Sequence, residues 1–167
     1  MKPEKRLILI LGDQLDLQGA ALTDFDPHAD EVVMIESISE AQYIWTHKAK
    51  IALFLSAMRH FAQALIDLGY SVRYIKASPL SISQTLKEQV LASNVQRVVC
   101  VEPGEWRLKQ ELEAMAQELK ITLDIRVDDH FFCTQQEFRE WVADKKRIKA
   151  GIFLSLHAKK TRHLNRS

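Results

Sequence analysis

The stretch LILILGDQLD, residues 7–16, decides how the rest of the chain is read. Five branched apolar residues follow one another, so a strand formed here needs apolar cover on both faces. Such a strand belongs in the interior of a parallel sheet with helices on either side. The run stops at Gly12-Asp13-Gln14, a turn that carries one carboxylate and one amide.

Similar β-rich runs recur along the chain. With RLILIL (6–11) they are EVVMIE (31–36), YSVRYI (70–75), QRVVCV (96–101) and ITLDIRV (121–127). Helical periods separate the later ones. In HKAKIALFLSAMRHFAQALIDLG (47–69), Ile51, Phe54, Leu55, Met58, Phe61, Ala62 and Leu65 share a face, and Gly69 supplies a left-handed end. SISQTLKEQV (81–90) opens on a Ser81…Gln84 capping box and aligns Ile82, Leu86 and Val90. EWRLKQELEAMAQELK (105–120) aligns Leu108, Leu112, Met115 and Leu119. Thr134…Glu137 caps a last short helix bearing Phe138, Trp141 and Val142. The pattern predicts a Rossmann-like, doubly wound α/β domain: a five-stranded parallel sheet, order 3-2-1-4-5, with helices on both faces.

Composition narrows the class. The chain has 167 residues, 47% hydrophobic and 27% charged, with a net charge of +1, which argues against a general nucleic-acid surface. Cys100 and Cys133 form no CxxC pair and no zinc-ligand spacing, which fits a reduced, cytoplasmic setting. The apolar run near the start is too short for an export segment, and no stretch is long enough to span a membrane. No internal repeat or linker is visible.

In a sheet of this order, ligands sit beyond the carboxyl ends of the strands where the order reverses. Gly12, Asp13 and Gln14 then face Glu102, Pro103 and Gly104 across a crevice. Neither GxxxxGK[ST] nor GxGxxG is present, so the standard phosphate cradles are missing. The GDQ turn suits hydrogen bonding to a ring or a polyol, although Asp13 can equally cap the next turn. Glu36 ends an apolar strand, where a carboxylate must be solvated, paired or in contact with a ligand. Tyr43, His47 and Lys48 stand near the start of the long helix. Cations are disfavoured there and need an anionic partner or solvent. DDHFFC (128–133) groups two carboxylates and an imidazole, but neighbours in an extended segment point to opposite sides, so no metal site is expected. Neither cysteine has an activating base, and His60 reads as a surface residue; no catalytic residue is assigned.

Four segments go further. LILILGDQLD, ESISEAQYIWTHKAKIALFLSAMRHFAQAL, VEPGEWRLKQELE and DDHFFCTQQEFREWVADKKRIK, in this order and spacing, resemble the N-terminal domain of the deoxyribodipyrimidine photolyase-related proteins. These form the bacterial iron–sulfur branch of the cryptochrome/photolyase family, which includes prokaryotic (6-4) photolyases. The resemblance covers roughly residues 5–149. It implies that the domain holds an antenna chromophore, commonly 6,7-dimethyl-8-ribityllumazine. Gly12, Asp13 and Gln14 would surround it, with Glu36, Tyr43, His47 and Lys48 along its edge and Glu102 on the facing loop. It further implies that FAD, a 4Fe–4S cluster and the DNA lesion belong to a following helical domain. On that reading this polypeptide alone does not repair DNA, and the face left by that domain favours self-association. The alternative is an independent nucleotide- or metabolite-binding protein on the same scaffold.

Residues 150–167, AGIFLSLHAKKTRHLNRS, depart from the family, which continues with a segment close to EYFYR. Gly151 to Ala158 can be encoded as GGA ATA TTT TTA TCG TTG CAT GCG. The next frame of those bases reads Glu-Tyr-Phe-Tyr-Arg-Cys-Met, so this tail is expected to be an out-of-frame reading appended to a domain over 1–149.

Overall fold

Strand β1 (Arg6–Leu9) pairs in parallel with β2 (Asp30–Ser37) on one side and with β4 (Arg97–Val101) on the other. Beyond them, β3 (Val72–Ser78) pairs with β2 and β5 (Thr122–Arg126) with β4, giving the order β3-β2-β1-β4-β5. This is the parallel, doubly wound sheet that the apolar runs predict. The computed structural model describes residues 5–43, 47–128 and 135–143. The chain divides into two compact units, Met1–Arg126 and Val127–Ser167, and the sheet belongs to the first.

Helices cover both faces of the sheet, and the pleat explains which residues they meet. Leu7, Leu9, Val33, Ile35, Val98 and Cys100 pack in one core with residues of α3 (Ile82–Ser93) and α4 (Trp106–Leu119). Alternate residues, Ile8, Ile10, Val32, Met34, Val99 and Val101, pack in a second core with Met58, Ala62 and Leu65 of α2 (Lys48–Asp67). The central strands are buried on both sides, whereas β3 and β5 at the edges are only partly covered. The helix ends follow local rules. Ser81 and Gln84 form the reciprocal capping box, and Gly69 takes φ +87° after α2. A short helix α1 (Ile38–Tyr43) precedes α2 and was not anticipated, because six residues are too few to show a period.

The connection from β1 to β2 carries no long helix. A 3-10 turn (Ala20–Leu22) covers that part of the second core, and ion pairs hold it down. Arg126 at the end of β5 donates to the Ala20 carbonyl at 2.7 Å and pairs with Asp24 at 2.7 Å. Arg6 reaches the same carboxylate at 2.8 Å. The two guanidiniums, Arg126 foremost, hold the Asp24 carboxyl well below the usual carboxylate range. Arg6 also grips Asp30 through Nε at 2.9 Å and Nη2 at 2.5 Å, and Asp30 accepts the Asp26 N–H at 2.8 Å.

In the second unit, α5 (Gln135–Ala143) brings the Phe138 and Trp141 rings to 6.1 Å. The expected cap at Thr134, the Asp129–Cys133 part of DDHFFC and the whole 150–167 tail lie outside the described residues. Among the described residues, no helix is long and apolar enough to cross a membrane.

The Asp30 side chain is fully buried against Arg6, so removing it leaves Arg6 Nε and the Asp26 N–H without their acceptor, while Arg6 keeps Asp24. Asp30→Ala is expected to cost about 3 kcal/mol in urea denaturation, the range for breaking a buried pair from one side. A cost below about 1 kcal/mol would show that solvent replaces the carboxylate.

Candidate functional site

The sheet order reverses at β1, whose neighbours β2 and β4 continue in opposite directions. A cavity of about 330 Å³ lies at the carboxyl ends of these strands. Leu11 and Ile35 line its strand side, α2 contributes Ile51, Phe54, Leu55 and Met58, and Ile82 and Leu108 complete the apolar wall. Its polar lining comes from Asp13, Glu36, Ser37, Glu40, Lys50 and Glu105.

Gly12 makes the close approach of α2 possible. A Cβ at this position would fall 2.7 Å from Phe54 Cε1 and 2.8 Å from Met58 Sδ, so any side chain would force the Phe54 ring to move. The expected facing of the GDQ turn and the EPG segment is observed. Gln14 Nε2 donates to the Glu102 carbonyl at 2.9 Å, and a Cβ on Gly104 would stand 3.7 Å from Asp13 Oδ2. Gln14 Oε1 is buried and accepts no hydrogen bond among the described residues. Asp13 lines the cavity, whereas the Glu102 carboxylate turns to Lys109 Nζ at 2.7 Å.

Glu36 also lines the cavity, but its carboxylate is heavily engaged. It is 4% exposed and takes two bonds from Arg59 of α2, at 2.6 and 3.0 Å. It accepts further from the Tyr74 hydroxyl at 2.7 Å and the Ala77 N–H at 3.3 Å. The Arg59 guanidinium lowers the Glu36 pKa against the opposing effect of burial. Burial raises the Tyr74 phenol, and the adjacent carboxylate raises it further. Ala77 sits at φ 50°, a left-handed conformation with a cost for a residue bearing Cβ, and its N–H is aimed at the same carboxylate.

His47 and Lys48 stand apart from the cavity lining. His47 is the N-cap of α2, with Nδ1 accepting the Ala49 N–H at 3.2 Å, and both residues are exposed. Solvent therefore meets the Lys48 ammonium, while the His47 ring serves the helix as an acceptor. The Tyr43 side chain lies outside the described residues. Lys50, one turn-face further on, is the lysine that lines the cavity. Lys50, Glu40 and Glu105 were not singled out in the sequence, and nothing local distinguishes Lys50 from Lys48. Burial pushes the Cys100 thiol up to about 12, so it is no nucleophile at neutral pH. Among the described residues, no group of three or more His, Cys, Asp or Glu side chains is placed to hold a metal ion.

Fold and site together define a Rossmann-like α/β domain with a largely apolar crevice at its topological switch point. The chain belongs to the deoxyribodipyrimidine photo-lyase-related protein family, which it matches over residues 8–164. That range runs into the 150–167 stretch set apart in the sequence reading. The chain is also similar to a (6-4) photolyase of Agrobacterium fabrum, 39% identical over 160 residues. The alignment takes in 93% of this chain and 32% of that protein, so the chain spans about a third of the relative's length.

The Glu36 hub carries a pH signature. A carboxylate whose folded pKa is depressed contributes stability above its unfolded value, near 4.5, and loses it as pH falls through the folded value. Glu36→Gln is expected to cost about 1–2 kcal/mol at neutral pH. It should also flatten the acid limb of stability below pH 4.5, measured as urea midpoints across that range. An acid limb as steep as the wild type's would assign that limb to other carboxylates.

Proposed function

We propose that this domain is an antenna-chromophore module of the photolyase type and that its cavity takes 6,7-dimethyl-8-ribityllumazine. The observation that carries this reading is the division of labour among the charged groups lining the cavity. Glu36 is paired with Arg59, and Glu40 and Glu105 with Arg107. Asp13 and Lys50 have no ion-pair partner among the described residues. Apolar walls with a few uncommitted polar groups are what a small heterocyclic ligand needs.

The residues fit the group. The apolar side chains of α2, Ile82 and Leu108 suit the faces of a bicyclic ring. Asp13 accepts from a ring N–H or a ribityl hydroxyl, and Lys50 donates to a ring carbonyl or a hydroxyl. The volume, about 330 Å³, is at the low end for small-molecule sites. Phosphate is poorly served. Glu105 occupies the N-cap of α4, placing a carboxylate where that helix end would otherwise attract an anion. When bound, the lumazine supplies absorption of near-visible light and passes the excitation on. The protein's part is to hold it in one orientation and keep quenching water away. On this reading, flavin, iron–sulfur cluster and DNA contact belong to the two-thirds of the photolyase relative with no counterpart in this chain, and light-driven repair is not assigned to these residues.

Titration with 6,7-dimethyl-8-ribityllumazine, followed by fluorescence and by co-elution in gel filtration, tests the reading. One equivalent is expected to bind, and Asp13→Asn and Lys50→Met are each expected to weaken Kd about tenfold, the loss of a charge-assisted hydrogen bond. Retention of an adenine nucleotide in place of the lumazine would replace this reading with that of a nucleotide-binding protein.

A further inference from the structure

Arg107 ties together the elements around the mouth of the cavity. Glu40 of α1 and Glu105 at the start of α4 both line it. Arg107 Nη2 donates to Glu40 Oε2 at 2.5 Å and to Glu105 Oε2 at 3.1 Å, while Nη1 donates to Glu111 Oε1 at 2.8 Å. Glu111 accepts in turn from Ser83 Oγ of α3 at 2.7 Å. One guanidinium thus links α1 to α4, and through Glu111 to α3.

Helix α1 depends on such support. Its six residues are too few to hold a helix on backbone hydrogen bonds alone. One anchor lies at its base, where Ser37 Oγ donates to the Leu80 carbonyl at 2.8 Å and accepts the Glu40 N–H at 3.3 Å. The other is the Glu40–Arg107 pair. The base anchor keeps α1 attached to the sheet; the pair draws it toward α4. The side chains of Arg107 and Glu40 are 36% and 23% exposed, so solvent and salt reach them. Arg107 is not among the residues that line the cavity.

We propose that Arg107 is a positioning residue that straps α1 across the mouth of the cavity and sets the rate at which a ligand enters and leaves. This rests on the ligand-binding reading above. A strap that does not touch the ligand acts on entry and exit alike. Releasing it raises kon and koff together and leaves their ratio in place. A residue that bound the ligand directly would change Kd instead.

The test is stopped-flow exchange of 6,7-dimethyl-8-ribityllumazine on the full chain, combined with hydrogen exchange of the α1 amides without ligand. Arg107→Ala is expected to raise kon and koff each about fivefold, the scale of a partly exposed ion pair, with Kd within about twofold of wild type. Glu40→Gln, which opens the strap from its other end, should also raise both rates, with Kd free to shift because Glu40 lines the cavity. Arg107→Lys, which keeps the charge but not the fork, should fall between. Lys87→Ala, which removes the separate Lys87–Glu118 pair between α3 and α4, should leave both rates unchanged. High salt should accelerate wild type more than Arg107→Ala. A Kd that weakens with kon unchanged would overturn the proposal, as would unaltered rates in both strap variants. Should the wild type bind no lumazine, the ligand reading fails by itself and hydrogen exchange decides the strap. Faster exchange over Ile38–Tyr43 in Arg107→Ala supports it, and unchanged exchange overturns it.

Discussion

The burial of β1 on both faces is the constraint from which the first unit follows. Leu7 and Ile8 are wholly inaccessible although they point to opposite sides of the sheet. Such a strand must have a neighbour on each edge and helical or loop cover above and below. Right-handed crossovers then send β2 and β3 to one side and β4 and β5 to the other. The chain leaving β1 enters the gap between these halves. The GDQ turn is at the rim of a crevice because its strand is central, and Gly12 lets α2 close over that turn.

The Glu36 carboxylate is the polar complement of this arrangement. It leaves β2 on the side covered by α2, where desolvation is expensive, and is matched by a bidentate guanidinium, a phenol and a backbone N–H. Only the carboxylate of the pair is buried, since the Arg59 side chain is half exposed. The fork ties α2 to the end of β2 at this setting. That setting also places Lys50, Phe54 and Met58 along the cavity.

Most of the framework was legible in the sequence because local rules produced it. Continuous apolar runs mark the three central strands, and the Ser81–Gln84 box and Gly69 fulfil the roles their positions suggest. Glu36 was legible as a problem: a carboxylate ending an apolar strand needs a partner. Its partner was not, because Arg59 lies 23 residues away and became a neighbour only through packing. The same holds for Glu40 and Arg107, which are 67 residues apart. His47 and Lys48 show the opposite failure, since closeness in sequence to the cavity helix did not bring them into the lining.

The acidic lining is compatible with the neutral ligand proposed for the cavity. Glu36, Glu40 and Glu105 all face arginines, so their charges hold protein elements together and are partly neutralised. What they offer an incoming molecule is reduced, and their residual field opposes a phosphate. Asp13 and Lys50 keep their hydrogen-bonding capacity because neither has an ion-pair partner among the described residues. An acceptor and a donor left open in an apolar cavity favour a molecule that carries both functions without net charge. A hydroxylated heterocycle meets that condition, whereas a phosphate placed at the start of α4 would meet the Glu105 carboxylate.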